Sequence, residues 1–166
     1  MDPNLLVSYS SNAGYFAGKT EIHNVLTKFG DQKEEMELMA PGIIGVKTKL
    51  DARKLIEDLR DSYASDPNLL SATVKWVPAD FWCDANIESI VKTVKEEIKD
   101  MFLREDVYSI DINKHKSDLN EEQIVQAVTS WLRGKLGEHF VKILRIELFD
   151  KRASVTLLLP KNVFIV

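Results

Sequence analysis

The chain has 166 residues, of which 45% are hydrophobic and 29% are charged, and this mixture excludes wholesale disorder. Its 22 Lys and Arg against 26 Asp and Glu give a net charge of −4, so no bulk positive surface marks it as a nucleic-acid binder. No apolar run is long enough to span a membrane, no secretory signal is visible, and a single cysteine, Cys83, excludes an internal disulfide. We expect a cytoplasmic, globular protein of one or two domains.

The first 80 residues predict a strand–helix–strand–strand–helix–strand order. The six runs of alternating or helically spaced apolar residues cover 5–10, 19–29, 34–39, 42–50, 51–65 and 72–78. Ala40-Pro41-Gly42 separates the second and third strands as a hairpin, Asp51 caps the second helix, and Ser65-Asp66-Pro67 ends it. This order is the βαββαβ pattern of a ferredoxin-like unit.

Residues 81–166 predict a second α/β unit. Its elements are a long helix over 87–101, a strand over 108–113, a helix from the Asn120 cap to about Gly137, and strands over 142–149 and 153–159. We expect Trp76, Trp82 and Trp131 to fill core positions. The sequence therefore predicts an α+β fold with one domain over 1–80 and another over 81–166.

A glycine-containing stretch, Ala13 to Thr20, is the strongest candidate for an enzyme site. It fits a relaxed Walker A pattern between a strand and a helix, in which Lys19 would contact phosphates and Thr20 would hold Mg²⁺. Tyr15 and Phe16 crowd the place where the phosphates would lie, and an antiparallel hairpin follows. A turn and helix start is the favoured interpretation, and a P-loop-like nucleotide-binding enzyme is the alternative.

Other catalytic arrangements find little support. No histidine spacing places His23, His115 or His139 beside Cys83, so we interpret Cys83 as a small buried hydrophobe. The histidines form no ligand pair, and no glycine-rich cofactor loop is present. We expect no metal, no cofactor and no catalytic activity.

Basic residues near strand ends form the remaining candidate site. Lysine and arginine neutralise phosphates, and aromatic faces stack on unpaired bases. The candidate RNA-binding residues are Lys75, Lys114, His115, Lys116, Arg152 and Lys161.

The stretch from Val74 to Val166 resembles a THUMP domain. The resemblance rests on Lys75-Trp76-Val77-Pro78 with Cys83, on Tyr108 to Lys114, on the capped helix from Asn120, and on the paired end strands. The segment before it, with Pro41 to Val46 leading into Asp51, resembles the ferredoxin-like domain that precedes THUMP domains.

This resemblance implies an RNA-binding module that recognises tRNA, including its 3′ acceptor end. Because the sequence shows no catalytic signature after the THUMP pattern, it most resembles a stand-alone adaptor for acetylcytidine formation in tRNA. The partner would then be a separate tRNA acetyltransferase or another tRNA-modifying enzyme. A protein-binding scaffold without RNA affinity is the second alternative.

Overall fold

A computed structural model describes all 166 residues and divides them into two compact units. The first unit contains Met1–Pro78 together with Lys161–Val166, and the second contains Ala79–Pro160. The chain passes from the first unit to the second after Pro78, two residues before the predicted boundary between 80 and 81. Residues 161–166, which the sequence predicts to belong to the second domain, lie in the first unit. The α+β fold class is confirmed. None of the helices has the length and apolar character needed to cross a bilayer.

The first unit is one antiparallel sheet packed against two helices. Its elements are β1 (Leu5–Tyr9), α1 (Gly14–Lys28), β2 (Glu35–Ala40), β3 (Ile43–Lys47), α2 (Ala52–Ser65), β4 (Thr73–Pro78) and the terminal β10 (Phe164–Ile165). The strand order is β10-β4-β1-β3-β2. The predicted βαββαβ order is therefore present, and β10, which the sequence pattern did not predict, extends the sheet at the β4 edge.

Helix α1 begins at Gly14, five residues before its predicted start. Lys19 and Thr20 therefore lie inside a helix, and the Lys19 ammonium lies 6.0 Å from the centre of the Tyr15 ring. Gly18 is needed for packing, because a Cβ there would lie 2.9 Å from Cβ of Tyr9 on β1. The stretch thus serves helix–strand packing rather than forming a phosphate-binding loop.

The first core lies between this sheet and its helices. It contains Leu5 and Val7 of β1, Ile22 of α1, Ile56 of α2 and the fully buried Trp76 of β4. Phe164 of β10 joins the same core, which gives the terminal strand an apolar anchor. Burial of these apolar groups holds both helices on one face of the sheet.

The second unit is a mixed sheet with helices on one face. Its elements are β5 (Phe81–Asp84), α3 (Ile87–Thr93), β6 (Val107–Lys116), α4 (Glu121–Thr129), β7 (Lys135–Leu136), β8 (Lys142–Phe149) and β9 (Arg152–Leu158). The strand order is β5-β9-β8-β6-β7, with β6 parallel to both β8 and β7. The Asn86 side chain caps α3, and the helical path continues through a π turn at Val94–Ile98 and a 3₁₀ turn at Lys99–Met101.

Helix α4 ends at Thr129, so the predicted continuation to about Gly137 is wrong. The Thr129 and Ser130 hydroxyls donate to carbonyls of the preceding turn, and Gly134 adopts a φ of +83°. The chain then extends to form β7, which pairs with the start of β6. This early end leaves Trp131 outside the core, with 41% of its surface exposed. Its predicted core position is therefore wrong.

The two faces of the second sheet differ in chemistry because side chains alternate along each strand. On β8, Leu144, Ile146 and Leu148 enter the core beneath α3 and α4. Arg145 and Glu147 point to the opposite face, where both are nevertheless buried. The polar face therefore has to satisfy charged groups that have little access to water.

A carboxylate on α1 fixes the entry into β4. Glu21 accepts hydrogen bonds from the backbone N–H groups of Ser71, Ala72 and Thr73. Partial burial pushes the Glu21 pKa upward, but these hydrogen bonds outweigh burial and lower the pKa below its ordinary value. The ionised carboxylate thus ties the helix to the strand start.

We expect Glu21→Gln to lower the free energy of unfolding by about 1–2 kcal/mol near pH 7, because charge-assisted bonds are replaced by weaker ones. Since the folded-state pKa of Glu21 is lowered, its contribution is complete above the unfolded pKa and is lost as pH falls through the folded pKa. Urea unfolding of both proteins from pH 7 to acid pH measures the difference, which should shrink on acidification. The exposed Glu96→Gln is the control. A constant difference at all pH values would contradict this role of Glu21.

Candidate nucleic-acid interface

Four of the six predicted RNA-binding residues meet at one end of the second sheet. Across strands β6, β8, β9 and β5, Lys116 is in register with Phe149, Phe149 with Arg152, and Arg152 with Asp84. Lys114 and His115 precede Lys116 on β6. We call Lys114, His115, Lys116 and Arg152 the strand-end cluster. Strand β6 is longer than predicted, so these three β6 residues belong to the strand itself.

The cations of the strand-end cluster are held in different ways. Lys114 is exposed, while Lys116 has an ammonium 3.7 Å from the Asp150 carboxylate and keeps 76% of its side chain exposed. The Arg152 guanidinium lies 4.6 Å from the centre of the Trp82 ring, a cation–π contact that orients it. An exposed ion pair such as Lys116–Asp150 is worth little and is easily exchanged for a phosphate contact.

His115 lies in the same cluster but faces inward. Its ring stacks on Phe149 with centroids 4.7 Å apart, and its Nε2 bonds to Glu147. Phe149 in turn contacts Trp82, at 6.0 Å between ring centroids. The three rings therefore form one group, in which Phe149 is only 5% exposed and Trp82 carries Arg152.

A buried chain of charges lies behind His115. Arg145 donates from Nε to Glu147 and from a terminal nitrogen to Asp111, both at 2.7 Å. Burial pushes the Glu147 pKa upward, but the hydrogen bond from His115 and the charge of Arg145 outweigh it and lower the pKa below its ordinary value. Glu147 is therefore ionised, and His115 Nε2 carries the donated proton. This chain fixes the end of β6.

The two remaining candidates lie in the first unit. Lys75 is half-buried on β4, in register with Ser8 of β1 and Ile165 of β10. Lys161 is exposed, and its ammonium lies 3.3 Å from a Glu57 carboxylate oxygen. The backbone carbonyl of Lys161 accepts a hydrogen bond from Arg60. Within the first unit, Lys161 therefore lies beside α2, and Lys75 lies on the strand that pairs with β10.

Cys83 lies on the core side of β5 and is half-buried against the second core. Burial, together with the charge of Asp84, raises the pKa of the Cys83 thiol, although a hydrogen bond with Thr93 opposes the shift. A raised pKa disfavours the thiolate that a nucleophile needs. No group of three or more His, Cys, Asp or Glu side chains in the chain is arranged to hold a metal ion.

The sequence pattern did not predict one aromatic–cation group. Lys95 and Lys99 of the helical path after α3 both point towards Trp131, with ammonium-to-ring distances of 4.3 and 5.9 Å. The four-residue spacing of the lysines is visible in the sequence, whereas their contact with Trp131 depends on the end of α4 at Thr129. Ser130 and Gly134, on either side of Trp131, are the available signal that the helix ends earlier.

No protein-family model matches the chain, and no curated protein matches it either. Solved structures do match. PH1313 from Pyrococcus horikoshii Ot3 has a TM-score of 0.65 at 14% identity over 94% of this chain and 54% of its own. TrmN from Thermus thermophilus has a TM-score of 0.58 at 7% identity over 92% of this chain and 44% of its own.

A third match is a 4-thiouridine synthetase solved as an RNA complex with bound ATP. Its TM-score is 0.51 at 9% identity, over 95% of this chain and 41% of its own. The chain thus spans about half the length of the matched structures or less. Together these likenesses show that the chain shares its α+β fold with the three structures over more than nine-tenths of its length.

We expect Glu147→Gln to lower the free energy of unfolding by about 3 kcal/mol at pH 7, because Arg145 is left without a buried counter-charge. The folded-state pKa of Glu147 is lowered, so its contribution is complete above the unfolded pKa and is lost as pH falls through the folded pKa. Chemical unfolding at several pH values measures both effects. Asp111→Asn, at a half-exposed carboxylate, serves as the control and should cost less. Equal costs for the two variants would show that the buried pair is not the main contributor.

Proposed function

We propose that this chain is a tRNA-binding module that acts in tRNA modification. The observation that carries the proposal is the fold, which is shared over 95% of the chain with a 4-thiouridine synthetase solved with RNA. The strand-end cluster supports it, because the fold gathers Lys114, Lys116 and Arg152 at one sheet end although the chain as a whole is acidic. Local cations of this kind are sufficient for phosphate contacts.

The contribution of each residue in the strand-end cluster follows from its surroundings. Lys114 and Lys116 project from the end of β6 into solvent and can reach phosphates. Arg152 is held over Trp82 and presents a planar guanidinium, which suits a bidentate phosphate contact. His115 is held by Glu147, so its part in the proposal is to position β6, with ring Nδ1 as its remaining polar atom.

Within this role, we propose a non-catalytic adaptor for a separate enzyme, a tRNA cytidine acetyltransferase. The support is the resemblance of the sequence to the THUMP adaptor and the internal position of Lys19 and Thr20 in α1, where the backbone forms a helix rather than a phosphate-binding loop. Tight RNA binding is not required of such an adaptor, because a partner enzyme adds contacts and raises the effective concentration.

We expect the double variant Lys114→Glu/Lys116→Glu to bind tRNA at least tenfold more weakly than the wild type. Each phosphate contact that the double variant loses should reduce the slope of log affinity against log salt by about 0.9. Electrophoretic mobility shift and fluorescence anisotropy over a salt series measure both quantities. Lys28→Glu/Lys54→Glu, with the same charge change in the first unit, is the control. A slope that is unchanged from the wild type would remove Lys114 and Lys116 from the site.

The adaptor role has a direct reconstitution test. A tRNA acetyltransferase is incubated with tRNA, acetyl-CoA and ATP, with and without this chain, and acetylcytidine is measured by mass spectrometry after nuclease digestion. We expect formation to depend on the chain and to fall with the Lys114→Glu/Lys116→Glu variant. Tight tRNA binding without any effect on acetylation would retain the RNA-binding role and reject the acetylation partner. Binding to the enzyme without a tRNA shift at low salt would favour the scaffold alternative.

A further inference from the structure

A second aromatic–cation group lies in the second unit, away from the strand-end cluster. We call Trp131, Lys95 and Lys99 the Trp131 cluster. The Lys95 ammonium lies 4.3 Å and the Lys99 ammonium 5.9 Å from the centre of the indole ring, and the indole is 41% exposed. Neither the sequence motifs nor the strand-end cluster accounts for this arrangement.

The chemistry of the Trp131 cluster differs from that of exposed lysines that pair with a carboxylate. Lys116 and Lys161 face carboxylates at 3.7 and 3.3 Å, which an RNA phosphate would have to replace. Lys95 and Lys99 instead face an indole, which has no net charge. The cluster therefore offers two positive charges beside a flat and partly exposed ring. Phosphate and an adjoining unpaired base are the ligand chemistry that this combination fits.

The fold places the Trp131 cluster and the strand-end cluster at opposite ends of the sheet. Helix α3 begins just after Asp84, which is in register with Arg152, and runs to the end where β6 begins. Helix α4 follows Lys116 and returns to that same end, where the Lys135 backbone N–H donates to the Asp106 carbonyl. Since β6 has ten residues, roughly 30 Å separate its two ends. One bound polynucleotide would thus meet two different kinds of surface.

We propose that the Trp131 cluster binds an unpaired nucleotide of the bound RNA, with the base stacked on Trp131 and Lys95 and Lys99 at the adjoining phosphates. The proposal rests on the tRNA-binding function above. The proposal assigns different parts of the RNA to the two clusters of the second unit. In the strand-end cluster Phe149 is only 5% exposed, so that cluster offers phosphate contacts, whereas the indole of the Trp131 cluster is 41% exposed.

The test compares Trp131→Ala, Trp131→Phe and Lys95→Glu with the wild type on two RNAs. These are an intact tRNA transcript and the same transcript lacking its unpaired 3′ nucleotides. We expect Trp131→Ala to weaken binding of intact tRNA by about fivefold or more, because the base loses its stacking partner. Trp131→Phe should have an intermediate affinity, because the smaller ring retains part of the stacking. Lys95→Glu should weaken binding and reduce the salt slope.

The truncated transcript distinguishes the two sources of an unpaired base. If the 3′ terminus is the ligand, wild type prefers the intact transcript and Trp131→Ala binds both transcripts equally. If a loop nucleotide is the ligand, Trp131→Ala weakens binding of both transcripts by the same factor. Either result supports the Trp131 cluster as a nucleotide site.

Two controls separate stacking from charge and folding. Lys28→Glu changes the same charge at a lysine that also lies over a ring, Phe29 at 5.7 Å, and should leave the affinity close to that of the wild type. Thermal unfolding of the variants confirms that each is folded, as expected for an exposed ring. Quenching of tryptophan fluorescence on tRNA addition should be smaller in Trp131→Phe than in the wild type, because Trp76 is fully buried and only the partly exposed Trp82 then remains to report binding.

The nucleotide site and the proposed function fail in different ways. If the wild type binds no tRNA at low salt, the proposed function fails, and the nucleotide site fails with it. If the wild type binds tRNA and Trp131→Ala binds it equally well with unchanged quenching, the nucleotide site alone is overturned, and the exposed indole is then assigned to a protein contact.

Discussion

Parallel pairing of β6 with β8 is the constraint on which the second unit depends. Its register sets Asp111 beside Arg145 and Lys116 beside Phe149. At the same time it keeps Leu144 and Ile146 in the core. Because side chains alternate, a slip of one residue on β8 would bring the aliphatic groups to the polar face and the charged ones into the core. The hydrophobic effect and the salt-bridge chain therefore select the same register.

That register also explains how an acidic chain presents a basic sheet end. The carboxylates of Glu147 and Asp111 are occupied by Arg145 and His115, so they contribute little field at the surface. At the sheet end Asp150 is the acidic neighbour of Lys116, and Asp84 is in register with Arg152. Net charge, summed over all 166 residues, is a poor guide to such a surface because screening limits each charge to its own neighbourhood.

Most of the first unit could be predicted from the sequence, because its strands and helices carry strong periodicity and clear punctuation, such as Gly42 at a φ of +88° in the hairpin. The short strands β7 and β10 could not, since two residues define no period and their pairing depends on partners far along the chain. The site was predictable only in part. Lysines at strand ends were visible, whereas the contacts of Arg145 with Asp111 and of Trp131 with Lys95 arise from tertiary packing between distant parts of the chain.

The return of residues 161–166 to the first unit has a consequence for how the chain acquires its structure during synthesis. Strand β4 is complete once Pro78 has been made, but the backbone groups on its outer side find their partners in β10 only after the whole second unit has been translated. During that interval the nascent first unit presents an unprotected edge to other chains. Arg60 of α2 donates to the carbonyls of Lys161 and Val163, and these contacts can form only when that terminal segment has been made.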